Sequence, residues 1–251
     1  MVYRQTPAVE ARLHDNRSRI LAAARALVSE GGWSEAQVAS VAASAGMATG
    51  TVYRYFASKA ELFAEVLSAV SQREVDVLEG IAATGDDAHT RLHAAVAVFV
   101  RRAMRNPRLA YALIAEPCDK AIDEVRLQYR AAISAVISRL IAQGQASGQM
   151  RADMLADTAA SFIVGGFMEG LIGPLSPLNQ PLHSHPDPQA CQRDVEALAE
   201  QMAHLACASV AAAHGLQAAP AVPAAPAMPP SVPAPAATTP SPTPGPLVPP
   251  H

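Results

Sequence analysis

Residues 47–59, MATGTVYRYFASK, hold the chain to one short helix presented at a surface. On one side lies Ala43-Ser44-Ala45-Gly46, a tight turn in which Gly46 takes positive φ at little cost. On the other side Ser58-Lys59-Ala60-Glu61 opens a new helix as a capping box, the Ser58 oxygen accepting the Glu61 N–H and the Glu61 carboxylate reaching back. Upstream, Ser34-Glu35-Ala36-Gln37 reads as a second capping box, ahead of a helix whose buried face is Val38, Val41, Ala42 and Ala45. Within 47–56, Val52 and Phe56 face inward. Two short helices joined by a Gly turn make a helix-turn-helix. Two boxes bracketing one turn, with matching periodicity, constrain the segment more than either box alone.

The flanks are also helical. Ile20, Leu21, Ala24, Leu27 and Val28 repeat at helical spacing over 15–30, and Gly31-Gly32 ends that run. Trp33, the single Trp, is expected to plug the space under the next helix. After Ser58 the apolar set is Leu62, Phe63, Val66, Leu67 and Val70. Residues 1–9 read as a loose arm, with Arg4 and Arg12 either near phosphates or solvated.

The chemistry of this segment suits a polyanion. Small residues let a backbone approach closely, and hydroxyls, phenols and guanidinium bond phosphates and base edges. Seven Lys/Arg against four acids give residues 1–60 a charge of +3, so the remainder of a chain whose formal net charge is −3 carries −6. A basic module on an acidic body is the pattern for contact with nucleic acid at one end. Arg54 is the candidate base reader through a guanine O6/N7 fork, and Tyr53 and Tyr55 reach phosphates unless one ring packs on the first helix. Lys59 can meet a phosphate beside free N–H groups at a helix start, or stand as a solvated charge.

The run from Arg19 to Leu67, with the pieces RILAAA, AGMATGTVYRYF and SKAELF, resembles the DNA-binding domain of the tetracycline-repressor (TetR/AcrR) family. The resemblance implies an all-α homodimer with an N-terminal three-helix DNA domain and a larger C-terminal domain for ligand binding and dimerisation. Carried over by position, DNA contacts fall on Thr49, Gly50, Tyr53, Arg54, Tyr55 and Lys59, with Thr51 and Gln37 added. The family often has Thr or Ser where this chain has Ala36 and Gln37, and Ser followed by a cation where it has Ala48 and Thr49, which leaves Arg54 as the main cation of the reading helix. The implied function is a repressor that binds a pseudo-palindromic duplex operator and is released by a small apolar or amphipathic effector. The alternative is a small-molecule-binding helical protein without sequence-specific DNA binding.

The domains are placed at 10–60, 61–214 and 215–251. In the body, Asp86 or Asp87 caps a helix carrying Leu92, Val96, Phe99 and Val100. Arg101, Arg102, Arg105 and Arg108 serve its C-terminal dipole or touch DNA, and Asn106-Pro107 opens the next helix. A long helix carries Ile122 through Ile141, its end loosened by Gly144 and Gly148. Asp153 is a candidate cap for a helix with a stripe Leu155, Ala159, Phe162, Ile163 and Phe167, and Gly165-Gly166 suits a close helix approach. The helices near 154–171 and 189–213 are expected to pair with their copies in a four-helix dimer interface. Phe99, Met104, Tyr111, Tyr129, Phe162 and Phe167, with Ile114 and Met168, supply material for a mostly apolar cavity; His93 and Glu169 are possible polar anchors.

No catalytic constellation, phosphate loop or dinucleotide Gly pattern is present, which points away from an enzyme and from a cofactor. The eight His are dispersed; His183 and His185 lie in the Pro- and His-rich loop 173–188 without a completing ligand set. Cys191 and Cys207, roughly 160° apart around one helix, cannot bridge, and the three Cys read as buried, inert thiols. The N-terminus has no signal-peptide core and no run of about 18 apolar residues occurs, so a soluble cytoplasmic protein with no membrane partner is expected. Pro fills 13 of the last 32 places, which forbids regular helix there and predicts a disordered tail.

Overall fold

The computed structural model describes residues 7–178 and 188–212. The expected arm residue Arg4, the loop histidines His183 and His185 and the Pro-rich tail lie outside the described residues. Among the described residues the architecture is all-α, with one isolated antiparallel bridge between Met150 and Ala211. The elements are α1 (Pro7–Glu35), α2 (Val38–Ser44), α3 (Thr49–Tyr55), α4 (Lys59–Ala82), α5 (Ala88–Arg105), α6 (Pro107–Ile114), α7 (Lys120–Ala146), α8 (Ala156–Leu175) and α9 (Pro188–Val210).

Local chemistry sets several of these boundaries. Asp87 caps α5 by accepting the Thr90 N–H at 3.0 Å, and Asn106 caps α6 by accepting the Leu109 N–H at 3.1 Å, with Pro107 in the first turn. Helix α1 begins earlier than its apolar repeat suggests, and its last turn runs past a break at Gly32, where φ is 76°. Three further expectations are corrected. Asp153 does not cap α8; Leu155 stands at that cap, and Asp153 is ion-paired with Arg151. Gly144 does not loosen α7 but lets Met150 lie against it, while Gly148, at φ 76°, follows the helix end. Arg101, Arg102 and Arg108 are ion-paired with Glu196 and Glu200, Glu74, and Glu116 respectively, rather than left to the dipole.

Two apolar clusters form. The first packs Ile20, Val28, Trp33, Val41, Val52, Phe56 and Phe63 together, and draws in Leu109, Ala112 and Ile122 from α6 and α7. The second holds Leu92, Val100, Ile137, Leu140, Ile141, Leu171 and Val210. Full burial of each large aliphatic side chain contributes on the order of 2 kcal/mol. Tyr129 of α7 packs against both clusters, and its hydroxyl lies 2.9 Å from Ser68 Oγ and 3.3 Å from Gln72 Oε1 on α4. Helix α8 is long and apolar enough by composition to cross a membrane, although Asp157 and Glu169 keep it from being an unbroken apolar run. Its Ala160, Ile163, Val164, Phe167 and Leu171 are nevertheless buried in the body.

The break in α1 is locked by one carboxylate. Trp33 is buried in one cluster with Val38, Val41 and Ala42 of α2, and it also reaches α4 and α6. Its ring stands edge-on to Phe63 at 5.7 Å, and its Nε1 donates to the Ala112 carbonyl of α6 at 2.7 Å. Glu116, 8% exposed, accepts the Trp33 N–H at 3.3 Å, the Ser34 hydroxyl at 3.4 Å, and two Arg108 bonds at 2.8 and 3.1 Å. Ser34 therefore bonds Glu116 and makes no capping box; Gln37 reaches back to the Ser34 carbonyl instead, donating from Nε2 at 3.2 Å. Arg108 Nη2 also donates to the Gly31 carbonyl at 2.6 Å. A side chain at position 32 would overlap the Arg108 guanidinium and the Glu116 carboxylate, so both its φ and its space require Gly.

Burial by itself would raise the Glu116 pKa, but the Arg108 and Trp33 hydrogen bonds outweigh it and hold the carboxyl below its ordinary 4.5. A lowered folded pKa means that this stabilisation is complete above pH 4.5 and is lost as the pH falls through the folded value. Glu116→Gln is expected to lower the unfolding free energy at pH 7 by about 2 kcal/mol and to flatten its acid dependence, as read by urea denaturation at several pH values. An unchanged acid limb would remove Glu116 as its source.

Candidate nucleic-acid interface and ligand cavity

The turn between α2 and α3 is closed at both levels expected of a Gly-terminated helix. Met47 N–H donates to the Ala42 carbonyl at 2.9 Å and Gly46 N–H to that of Ala43 at 3.1 Å, with Gly46 at φ 67°. Arg19 of α1 donates to the Ala45 carbonyl at 2.7 Å and ties the turn to the core. Val52 and Phe56, each 1% exposed, anchor α3 from within. Arg17 lies over the Phe56 ring at 5.1 Å and ion-pairs with Glu65, fixing α1 to α4.

With that anchorage, the other side of α3 faces outward. Tyr53 is 49% exposed, and Arg54, Thr49 and Gly50 are exposed. Arg54 has no hydrogen-bond or ion-pair partner among the described residues. Nothing lies within 4 Å of where a Gly50 side chain would start, so no internal packing demands that Gly. Thr51 is half-buried. Tyr55 is the ring that packs inward, its hydroxyl accepting from Asn16 Nδ2 of α1 at 3.1 Å. The Ser58 capping box forms, with its return bond displaced by one residue: Ser58 Oγ accepts the Glu61 N–H at 3.0 Å, and Glu61 accepts the N–H of Ala57 at 2.7 Å. Lys59 Nζ donates to Gln37 Oε1 at 3.5 Å, so these two meet beside α3. The result is an outward edge of hydroxyls, a phenol and a free guanidinium on a rigidly seated helix, chemistry that matches phosphates and base edges.

A cavity of about 290 Å³ lies within the helical body. Phe99, Ile114, Tyr129 and Met168 line it. Met104, Tyr111 and Phe167 do not: Met104 is buried in the core, Tyr111 lies near Arg108, and Phe167 packs behind Phe99 with ring centroids 4.9 Å apart. Phe162 is 73% exposed on the opposite side of α8. The buried stripe there runs through 159/160, 163/164, 167/168 and 171, and one residue of helix rotation carries Phe162 out of it. Glu169 is likewise exposed.

The structure also converges residues that sequence reasoning missed. Arg25, Glu74, Arg102, Arg105, Arg126 and Arg130 all line the cavity. The Arg101–Arg108 run signals charge, but nothing local shows that part of it meets Arg25 and Arg130. Elsewhere, His93 of α5 meets Glu200 and His204 of α9, their ligand atoms within 4.8 Å of one another. The i,i+4 spacing of Glu200 and His204 was the only local hint. Of the thiols, burial pushes Cys207 up to about 11 with Asp87 adding to the shift, and burial also raises Cys118, in keeping with inert thiols.

Residues 20–66 match the family model described as bacterial regulatory proteins, tetR family. The chain is 36% identical over 99 residues to the HTH-type transcriptional repressor KstR of Mycolicibacterium smegmatis, covering 39% of this chain and 48% of that protein. It is also 36% identical over 99 residues to KstR of Mycobacterium tuberculosis, covering 39% and 45%. The matched segment thus spans about half the length of these curated relatives. Among solved structures, the fatty acid degradation regulator FadR from Bacillus halodurans superposes with a TM-score of 0.63 at 20% identity, over 81% of this chain and 96% of that one. FadR from Bacillus subtilis in complex with stearoyl-CoA gives 0.63 at 18% identity, over 76% and 98%. At these identities the structural likeness establishes the fold.

Proposed function

We propose that this chain, whose residues 20–66 match the tetR family of bacterial regulatory proteins, is a ligand-responsive transcriptional repressor of that family working in the cytoplasm rather than a catalyst. The observation that carries this reading is the outward edge of α3, where Arg54 and Tyr53 stand exposed and unpaired on a helix seated by Val52, Phe56 and the Arg19 bond. KstR relatives are repressors, which supports the direction of control. Arg54 reads a base pair, Tyr53, Thr49, Thr51 and Lys59 hold phosphates, and Gly50 lets the duplex backbone approach. Gln37 supports Lys59, and Tyr55 acts mainly by holding α3 on α1.

A homodimer presents two such helices about 34 Å apart, one turn of duplex, and so binds a pseudo-palindrome. Helices α8 and α9 offer the pairing face. Leu155, Phe162 and Leu205 are 77%, 73% and 72% exposed, and Gly165 and Gly166 have open space beside them. Large exposed apolar groups around a flat Gly pair suit coverage by a second copy. The cavity takes the effector, and a stearoyl-CoA-bound protein of the same fold supports an amphipathic one. Release follows if the effector prefers a conformation whose helix spacing no longer fits the operator.

Selection of bound duplexes from a random pool, at a stated salt concentration, is expected to return a two-fold symmetric consensus. No enriched sequence would leave a ligand-binding helical protein and remove the regulator. On the selected site, Arg54→Ala is expected to weaken binding by about 1–3 kcal/mol and relax preference at one base pair. Lys59→Ala is expected to weaken binding evenly across sequences and reduce the salt slope by about 1. Even loss for Arg54→Ala would move that residue to a phosphate.

A further inference from the structure

We infer that the cavity takes an amphipathic organic anion, its charged head read by Arg25, Arg105 and Arg130 and relayed to the DNA-reading end through Arg25. This rests on the effector-cavity reading above. Five arginines and one acid line the cavity. Two of the arginines are already committed. Arg102 makes a two-pronged pair with Glu74 at 2.6 and 2.8 Å. Arg126 closes the end of α6 by donating to the carbonyls of Leu113 at 2.9 Å, Ala112 at 3.2 Å and Glu116 at 2.7 Å. The guanidiniums of the other three have no hydrogen bond or ion pair among the described residues, and the sole lining acid belongs to Arg102. Three uncompensated guanidiniums on one cavity, in a chain of net charge −3, call for an anion. Their forked donors match a carboxylate or phosphate.

Arg25 and Arg105 are exposed and Arg130 half-buried, which puts the cations at the mouth, while Leu109, Leu113, Ile133 and Met168 supply an apolar wall. The volume of about 290 Å³ lies at the lower end of the ~300–1,000 Å³ of small-ligand sites, so the apolar body is short. The three heads come from α1, the end of α5 and α7. Helix α1 also holds the α2–α3 turn through Arg19 and Tyr55 through Asn16. An anion drawing Arg25 toward Arg105 and Arg130 therefore pulls on the helix that seats α3.

The full chain is titrated by calorimetry with decanoate, decanoyl-CoA and decanol. At least one anion is expected to bind about tenfold or more tighter than decanol. Decanoate alone would assign a free carboxylate, and decanoyl-CoA alone a phosphate-bearing ester. The Arg105→Gln/Arg130→Gln double variant is expected to lose about tenfold for the anion and nothing for decanol. Arg25→Gln is expected to lose about tenfold for the anion, and saturating anion is expected no longer to change its operator affinity. Equal binding of anion and alcohol, no binding of either, or an unaffected double variant overturns the anion assignment. An Arg25→Gln variant whose operator affinity still shifts with saturating anion overturns the relay. The binding arms contain no DNA, so they stand or fall apart from the regulator reading.

A different observation carries a second assignment: we propose a transition-metal site at His93, Glu200 and His204. His93 Nε2 and Glu200 Oε2 are 3.2 Å apart, and the two His rings lie edge to face at 5.1 Å. Glu200 Oε1 accepts from Arg101 at 2.6 Å, which leaves Oε2 aimed at the imidazoles and orients the carboxylate from behind. Two His and one Glu form a zinc ligand set with a fourth position for water. Tetrahedral binding needs donor atoms about 3.4 Å apart, a spacing reached by small side-chain rotations from donor atoms that already lie within 4.8 Å of one another. The His93 and Glu200 side chains are 30% and 37% exposed, so an ion can enter. Titration of the metal-free chain with Co²⁺ is expected to give tetrahedral visible bands that Zn²⁺ displaces and that His204→Ala and Glu200→Gln abolish. Absent bands, or bands surviving both substitutions, overturn the site.

Discussion

A single buried carboxylate joins the reading end of this protein to its body. Glu116 takes bonds from the broken end of α1 and from α6, and Arg108 completes the circuit back to the Gly31 carbonyl. A carboxylate this far from water is tolerable only because each oxygen has a partner and one partner is a cation. The arrangement leaves no room at position 32, so the left-handed Gly and the ion pair depend on each other. Trp33 extends the joint with its own bond to Ala112 and its edge contact with Phe63. The helix-turn-helix thus rests on α6 as well as on its own small core.

Within that frame the sequence was legible where chemistry is local. Gly46, Asp87, Asn106-Pro107 and Ser58 act on backbone groups at most a few residues away, and each closes the turn or helix end assigned to it. Val52 and Phe56 were readable because the period of a short helix between two turns leaves one inward face. Ser34 was misread because its hydroxyl prefers a carboxylate 82 positions away to the N–H three residues on. Phe162 was misread because the apolar residues of α8 span more than one face, so composition alone does not say which is covered. The arginines of the cavity were visible as charge but not as neighbours, since packing of α1, α5 and α7 brings them together.

The distribution of cations follows from that packing. Those in contact with α9, α4 and α6 are matched by Glu196, Glu200, Glu74 and Glu116. Among the described residues, Arg54 at the outer edge and three arginines at the cavity mouth are unmatched, as are the exposed Arg12 and Arg73. Four of these unmatched guanidiniums thus fall at two places, the outer edge of α3 and the cavity mouth, and both are surfaces a guest can reach.

Tyr129 stands where the two apolar clusters meet, with its ring on the cavity wall and its hydroxyl against Ser68 and Gln72. An occupant too wide for the cavity has to swing that ring, and the phenol then leaves α4. Bulk inside the body is thereby converted into a severed strut between α4 and α7. The same aromatic side chain works as wall and as latch.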